Sequence, residues 1–259
     1  MKSNNSLIES AKRVFKIESD AVAALADRVG SDFSEAVHAL DRKEGRLFVT
    51  GMGKSGLIGK KIAATMSSVG LPAVFVHAAE GIHGDLGLVS RNDRVIAISN
   101  SGETEEILKL LPTLSRLKCT LITMTGNLQS TLATRSDYVL DIGVKEEAGG
   151  NGLIPTASTT ATLAMGDALV IAYLHLRGFR EEDFALNHPG GSLGRKMLTI
   201  VEDLMHVGNT IPMVYENADI ATILSEMTQK RMGTTLVTDK NKMLQGVITD
   251  GDLRRMIEE

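Results

Sequence analysis

A short segment near the middle of the chain groups side chains that could bind a phosphorylated molecule. Residues 99–104 read Ser-Asn-Ser-Gly-Glu-Thr and follow an apolar run, residues 95–98, that predicts a buried strand. A helical pattern of apolar residues comes next, so this hydroxyl loop (residues 99–104) lies at a strand-to-helix turn. Free backbone N–H groups and the helix dipole favour an anion there. Ser99, Ser101 and Thr104 therefore predict a phosphate site, although Ser101 as a helix N-cap among ordinary turn residues explains the same pattern.

Carboxylates stand next to this loop. Glu103 and Glu106 are three residues apart, which predicts that they share one helix face, one turn beyond the hydroxyl groups. The helix dipole alone also favours carboxylates in a first turn. From its position, Glu106 is the candidate for proton transfer.

A glycine-rich segment offers a second anion site. The glycine turn (residues 51–56, Gly-Met-Gly-Lys-Ser-Gly) matches the dinucleotide-binding spacing, but the supporting carboxylate should end the second strand, about 20 residues further on. That strand ends at residues 76–77, and Glu80 comes late. The dinucleotide match alone is therefore weak. The segment still offers backbone N–H groups, the Ser55 hydroxyl and the Lys54 ammonium, and these groups suit one phosphate or a sugar oxyanion. The alternative is a tight turn with a solvated lysine.

Two histidines lie in glycine-containing segments, and the one that contains His188 has no obvious packing role. His83 lies in a polar turn, and His188 precedes a Pro-Gly-Gly run. Glycine-rich loops let a backbone approach a ligand closely, although a lone histidine is more often structural or solvated. Their spacing matches no metal-ligand pattern, so the residues predict no metal site.

Five short apolar runs separated by helical patterns must position these residues. This alternation predicts an α/β fold, a doubly wound parallel five-stranded sheet with helices on both faces. Pro112 predicts a break in the helix after the hydroxyl loop. The predicted strands are residues 47–50, 73–76, 95–98, 120–123 and 138–140.

The rest of the chain adds helices, loops and a second domain. Residues 6–29 predict an amphipathic helix, residues 143–155 a glycine-rich loop, and Ser158 opens a long helix that ends at Gly178. Residues 187–194 are predicted irregular. From residue 201 a strand-helix-strand-strand-helix pattern begins, which divides the chain into domains 1–200 and 201–259, the second a single small α+β unit.

Composition excludes several classes of protein. The net charge is −4, aromatic residues make up 3% of the 259 residues and Trp is absent, so no nucleic-acid surface is predicted. A single cysteine, Cys119, excludes an internal disulfide framework and fits a reducing compartment. The chain begins with polar residues, and no apolar run reaches the roughly 20 residues of a membrane span. We therefore expect a cytoplasmic protein with no membrane partner.

These motifs resemble a known family. Residues 45–177 resemble the SIS (sugar isomerase) domain, with the glycine turn and the hydroxyl loop as its two phosphosugar turns. Residues 201–259 resemble one CBS motif, with 246–253 as its signature. Four further segments are similar to the D-arabinose-5-phosphate isomerases: residues 80–87, 155–160, 166–169 and 188–194.

The resemblance implies an aldose–ketose isomerase that interconverts D-ribulose 5-phosphate and D-arabinose 5-phosphate through an enediol and supplies Kdo synthesis for lipopolysaccharide or capsule. It implies Glu106 as the base, His188 in ring opening or proton shuttling, and Lys54 and His83 as stabilisers of the enediol oxygens. It implies no cofactor and no required metal, although His83 and His188 could take up zinc adventitiously. The phosphate ligands it implies are Ser55, Ser99, Ser101 and Thr104.

The family is tetrameric, so the resemblance implies a homotetramer in which His188 reaches a neighbour's site.

The sequence departs from the family in two places. The family's Glu-Ala-Cys-Pro run is replaced by residues 147–151, for which we expect a more flexible loop. The family carries two CBS motifs, so a single one predicts either a shortened chain or pairing with another chain, and a nucleotide or pathway product is its expected ligand. The alternative functions are a non-catalytic phosphosugar sensor and an isomerase of another sugar phosphate.

Overall fold

The computed structural model describes residues 4–149 and 152–258. The chain forms two compact units, Met1–Leu198 and Thr199–Glu259.

Unit 1 is built on a parallel sheet of five strands in the order β2-β1-β3-β4-β5, which confirms the predicted sheet. Gly51 at the end of β1 pairs with His77 at the end of β2 and with Ile98 at the end of β3. The carboxyl ends of these three strands therefore lie together at one edge. The strands are β1 (Leu47–Gly51), β2 (Ala73–His77), β3 (Arg94–Ile98), β4 (Thr120–Thr125) and β5 (Tyr138–Asp141).

Alternating side chains along the strands form a hydrophobic core on each face of the sheet. In β1, Leu47 and Val49 join one cluster, whereas Phe48 joins the other. In β3, Ile96 belongs to the first cluster and Val95 to the second. This is the period of two that a strand imposes, and it explains why strands buried on both sides read as continuous apolar runs.

Helices cover both faces, which confirms the doubly wound arrangement. The first cluster includes side chains of α2, α3 and α8, and the second includes side chains of α4, α5, α6 and α7. The helices of unit 1 are α1 (Asn4–Ala23), α2 (Ser31–Leu40), α3 (Gly53–Ser68), α4 (Ala78–Ile82), α5 (Glu105–Leu108), α6 (Leu111–Arg116), α7 (Thr131–Thr134), α8 (Ala157–Arg177), α9 (Glu181–Asn187) and α10 (Ser192–Leu198).

Helix α8 is the one described helix that is long and apolar enough to cross a membrane by length and composition. Its buried face includes Ala161, Met165 and Leu169, which join the first core cluster, and the helix packs against α1 and α3. A Cβ atom on Gly166 would lie 2.4 Å from the Ile62 side chain of α3, so the two helices are in backbone-close contact. These contacts are those of a core helix in a folded domain.

The structure tests two predicted helix boundaries in unit 1. The break at Pro112 is confirmed: α5 ends at Leu108 and α6 begins at Leu111, because proline lacks an N–H and its ring excludes the carbonyl four residues earlier. The predicted helix 6–29 is too long, since α1 ends at Ala23 and the chain turns to bury Leu25 in the core.

The predicted irregular segment 187–194 is wrong in its last part, where α10 begins at Ser192. Gly194 permits this turn, because a Cβ there would lie 2.1 Å from the carbonyl oxygen of His188.

Unit 2 has the predicted strand-helix-strand-strand-helix order. Its sheet runs β6-β7-β8, with β6 parallel and β8 antiparallel to β7. Val214, Ile223, Met227 and Leu253 form its small core. The elements are α11 (Val201–Leu204), β6 (Met213–Tyr215), α12 (Ile220–Lys230), β7 (Thr234–Thr238), β8 (Leu244–Thr249) and α13 (Asp250–Glu258).

Candidate active site

The glycine turn and the hydroxyl loop lie side by side. They follow β1 and β3, which are neighbouring strands, and the chain leaves these strands toward opposite faces, into α3 and α5. In an open α/β sheet this switch point opens a crevice beyond the strand ends, where ligands bind. The structure thus brings together the two loops for which the sequence predicts anion binding.

The glycine turn exposes the beginning of α3. Gly53 has a φ of +52°, and a Cβ on Gly56 would lie 2.8 Å from the carbonyl oxygen of Gly51, so strand and helix are joined very tightly. No side chain caps the helix at Met52. Backbone N–H groups of the first turn are therefore available to an anion.

Lys54 and Ser55 lie in this first turn of α3. Lys54 is exposed and Ser55 is half-buried, and neither side chain makes a hydrogen bond or ion pair with another residue in the described ranges. Both side chains are thus free to contact a ligand in the crevice.

The hydroxyls of the second loop have different roles. The Ser99 side chain is buried; its Oγ accepts a hydrogen bond from the Gly102 N–H at 3.0 Å and shares one with Thr104 Oγ1 at 2.8 Å. Ser101 is exposed and accepts from the Glu103 N–H at 3.2 Å. The N-cap of α5 is Thr104, so the alternative of Ser101 as N-cap is wrong. Ser99 shapes the loop, and Ser101 and Thr104 are the more accessible hydroxyls.

Helix α7 fixes the shape of the hydroxyl loop. The carbonyl of Gly102 accepts a hydrogen bond from the Leu132 N–H at 3.1 Å. Gly102 has a φ of +68°, and a Cβ there would lie 1.9 Å from Ser130 Oγ. The Glu103 carboxylate accepts from the Thr131 N–H at 2.6 Å. This support could not be predicted from the sequence, because α7 is a single turn with no periodicity to detect.

The predicted pairing of Glu103 and Glu106 on one helix face is wrong. Glu103 precedes α5, which begins at Glu105, and its carboxylate is turned toward α7. Glu105 is paired with Lys109 at 2.6 Å, and the hydrogen bond and charge of this lysine lower the pKa of Glu105. Glu106 is half-buried and has no hydrogen bond or ion pair with another described residue. Of the three carboxylates, Glu106 is the one without such a partner among the described residues.

His83 lies beside this crevice. It follows α4 as its C-cap, and its side chain is exposed. Helix α4 packs against α5, and a Cβ on Gly81 would lie 3.1 Å from the Leu110 side chain, which follows α5. His83 therefore belongs to the same side of the sheet as the helix that carries Glu106.

His188 lies away from these residues within one chain. Asn187 approaches Gly70, which follows the end of α3, whereas Lys54 lies at the beginning of the same helix. The 16 residues of α3 span about 24 Å. His188 is thus near the opposite edge of the sheet, and one chain brings together the two loops, Glu106 and His83 but not His188.

Local contacts fix the His188 ring. The ring stacks on Phe184 with 3.8 Å between centroids, and its Nδ1 lies 3.0 Å from the Phe184 carbonyl oxygen. A carbonyl oxygen can only accept, so Nδ1 carries the proton and Nε2 is the nitrogen open to accept one.

Glu147 was not among the predicted site residues, yet it organises the start of α8. Its carboxylate accepts hydrogen bonds from the Thr156 N–H at 2.8 Å, the Thr156 hydroxyl at 3.0 Å and the Ser158 N–H at 3.3 Å. Burial alone would raise the pKa of Glu147, but these hydrogen bonds outweigh it and leave the pKa below its ordinary value. Gly150 and Asn151, for which we expect flexibility, lie outside the described residues.

The described ranges contain no group of three or more His, Cys, Asp or Glu side chains that could hold a metal ion. Within one chain His83 and His188 do not converge, so zinc uptake by that pair stays a prediction that needs two chains.

Comparisons with known proteins agree with this architecture. Residues 42–172 match the SIS domain and residues 201–259 the CBS domain. The fold and the crevice thus define a SIS-domain protein.

The similarity is closer than the domain level. The chain is 51% identical over 258 residues to arabinose 5-phosphate isomerase KdsD of Pseudomonas aeruginosa, a match that covers 100% of this chain and 79% of that protein. It is 49% identical over 250 residues to KdsD of Escherichia coli K12, covering 96% of this chain and 76% of that protein. A solved structure of an E. coli CFT073 protein in complex with arabinose 5-phosphate has a TM-score of 0.69 at 42% identity and covers 73% of this chain and 100% of that one. The chain belongs to the arabinose 5-phosphate isomerase family, which confirms the resemblance.

Proposed function

We propose that this protein is an aldose–ketose isomerase that interconverts D-arabinose 5-phosphate and D-ribulose 5-phosphate through an enediol. The observation that carries this proposal is sequence identity: the chain is 51% and 49% identical to two arabinose 5-phosphate isomerases over 100% and 96% of its length. The crevice supports it, since two anion-binding turns lie beside an unpaired carboxylate, Glu106.

The substrate phosphate binds between the two turns. Backbone N–H groups of the first turn of α3, the hydroxyls of Ser55, Ser101 and Thr104, and the α3 dipole all favour a dianion there. Ser99 holds this loop in shape through its bonds to Gly102 and Thr104 and completes the predicted set of phosphate residues.

Glu106 moves the proton. Its carboxylate takes the proton from C2 of the open-chain aldose and returns it to C1, while a proton passes from the C2 hydroxyl to the C1 oxygen. A positioned base contributes about 10²–10⁴-fold to such a step. The Lys54 ammonium and the His83 imidazole stabilise the negative charge that develops on the enediol oxygens.

His188 acts from a neighbouring subunit. Its Nε2 accepts the proton of the anomeric hydroxyl, the bond between C1 and the ring oxygen breaks, and the imidazolium returns the proton to the ring oxygen, which yields the open-chain aldose. This assignment fits the position of His188 near the far edge of its own sheet.

Unit 1 supports assembly into a homotetramer. On α1, Leu7 and Phe15 are 60% and 71% exposed, and Ile171 on α8 is 64% exposed. Helices α1 and α8 pack against each other, and large apolar side chains exposed on both of them favour a protein–protein interface there.

Unit 2 has a comparable exposed strand face. Leu244 and Val247 of β8 are 60% and 51% exposed. This face suits a second CBS motif, and a nucleotide or pathway product is the ligand we propose for such a pair. We propose a cytoplasmic location and a role in supplying Kdo synthesis for lipopolysaccharide or capsule.

The test is turnover of D-arabinose 5-phosphate to a ketose in the presence of a chelator. We expect turnover by the unmodified chain, a loss of about 10²–10⁴-fold in Glu106→Gln, and near-normal turnover in Glu105→Gln, whose carboxylate contacts only the exposed Lys109 among the described residues. Equal activity in all three would remove Glu106 from the mechanism. Binding without turnover would favour the phosphosugar sensor, and turnover of another pentose or hexose phosphate alone would change the substrate.

A further inference from the structure

A cavity of about 700 Å³ lies in unit 1 beneath α6, where the chain enters β4. It is distinct from the crevice, because Thr120 and Leu121 begin β4 whereas the crevice lies beyond the strand carboxyl ends. The residues that line it include Arg116, Lys118 and Arg135.

The charge of this cavity is predominantly positive. None of the three cations makes a hydrogen bond through its side chain or an ion pair within residues 4–149 and 152–258. The one carboxylate in the lining is that of Asp137, and it already accepts a hydrogen bond from the Leu121 N–H at 2.7 Å. Unpaired cations around a concave surface concentrate anions.

A second cavity of about 300 Å³ adjoins the first, because Lys118 and Thr120 line both. Arg42 and Lys43 add two cations there and Glu44 adds one carboxylate. Arg42 donates a hydrogen bond to the Thr120 hydroxyl at 3.0 Å, which holds its guanidinium at the boundary between the cavities. The positive surface is therefore larger than one phosphate requires.

The central cation occupies a backbone position that suits glycine. Lys118 has a φ of +55° and follows α6 in a Schellman ending, where its N–H donates to the Ser115 carbonyl and the Cys119 N–H donates to that of Leu114. Glycine adopts this conformation without the steric penalty that a Cβ brings. The lysine at this position lines both cavities at some conformational cost.

We propose that this cavity binds a polyanionic phosphate compound, such as a diphosphate, separately from the substrate crevice. Arg116, Lys118 and Arg135 bind two linked phosphoryl groups through charge and hydrogen bonds. The second cavity, which Arg42 and Lys43 line, accommodates the remainder of the ligand. Such binding weakens as ionic strength rises, since the contacts are charge-based and partly exposed.

Calorimetric titration of the full chain with inorganic pyrophosphate tests the proposal. We expect Lys118→Gly to weaken binding about fivefold or more while the melting temperature stays the same or rises. Lys145→Gln, an exposed lysine elsewhere, has the same charge change and should bind normally.

Lys54→Gln separates this site from the substrate crevice. Pyrophosphate binding that survives in Lys54→Gln and is weakened in Lys118→Gly supports the proposal. Binding that is lost in Lys54→Gln and unchanged in Lys118→Gly would place pyrophosphate in the crevice and overturn it, as would a chain that binds no pyrophosphate. Because the glycine variant keeps its fold, a loss of binding there reports on the cation.

Discussion

The Glu103 carboxylate accepts a hydrogen bond from the backbone N–H of Thr131 at 2.6 Å, and this contact gives two nearby carboxylates different roles. Glu103 joins the hydroxyl loop to α7, whereas Glu106 stays unpaired at the crevice. One carboxylate therefore positions the hydroxyl loop, and the other is the base that we propose.

We expect Glu103→Ala to lower the free energy of unfolding by about 1–2 kcal/mol, because the Thr131 N–H loses a charged acceptor. Since the hydroxyl loop is then held less firmly, KM for the sugar phosphate should rise more than kcat falls. Denaturant unfolding and steady-state kinetics measure the two effects. Glu106→Gln is the matched variant and should show the reverse, a large loss of kcat with little change in stability. A large loss of kcat with normal KM in Glu103→Ala would contradict the proposal that Glu103 only positions the loop.

Gly102 in the hydroxyl loop and Gly53 in the glycine turn should differ in their tolerance of a side chain. Gly102→Ala would place a Cβ 1.9 Å from Ser130 Oγ at a φ of +68°, so α7 or the loop must move. We expect a loss of more than about 2 kcal/mol in stability together with weaker substrate binding. Thermal unfolding and KM measure this effect.

Gly53→Ala is the control for Gly102→Ala. Gly53 also has a positive φ, +52°, but a Cβ there meets nothing within 4 Å. Backbone strain alone should cost about 1 kcal/mol. Equal losses in the two variants would show that the contact with Ser130 is unimportant.

The central strands β1 and β3 could be predicted because both are buried on both faces and read as apolar runs. Ile96 and Val95 face opposite cores, and no polar residue interrupts their segment. The break at Pro112 was equally local, since it follows from the chemistry of one residue.

The site itself was harder to predict, because its parts meet through strand order and through contacts distant in sequence. The glycine turn and the hydroxyl loop are neighbours because β1 pairs with β3, and this pairing could not be predicted from the sequence. Glu147 caps α8 from nine residues away, across a loop without periodicity. The separation of His188 from Lys54 depends on α9 folding back against the end of α3, which required the three-dimensional packing.

Acid should reveal the role of Glu147. The pKa of its carboxyl is held below the ordinary value of 4.5 by hydrogen bonds from Ser158 and Thr156, despite the opposing effect of burial. The pKa of this carboxyl group is lower in the folded state than in the unfolded state, so the ionised carboxylate stabilises the fold at pH values above the unfolded-state pKa. This stabilisation is lost as the pH falls through the folded-state pKa. Glu147→Gln should therefore be less stable than the unmodified chain near pH 7, by about 1–2 kcal/mol, and the difference should shrink below about pH 4.

Denaturant unfolding across pH 3–8 checks this expectation. Glu146→Gln is the control, since Glu146 is exposed and its ion pair with Arg13, at 3.3 Å, lies on the surface. A constant difference between Glu147→Gln and the unmodified chain over the whole pH range would contradict the charged cap.

Mixing two inactive variants should restore activity if His188 serves a neighbour's crevice. Neither Glu106→Gln nor His188→Ala has a complete site when assembled alone. After joint refolding at equal amounts, a site that takes Glu106 from one chain and His188 from another is intact in about a quarter of cases, so activity should recover to about a quarter of normal. If His188 instead acted within its own chain, no mixed assembly would contain an intact site, and activity would stay at the level of the separate variants. Co-refolded Glu106→Gln with Lys54→Gln is the control, because both residues lie at the same crevice of one chain and their mixture should remain inactive.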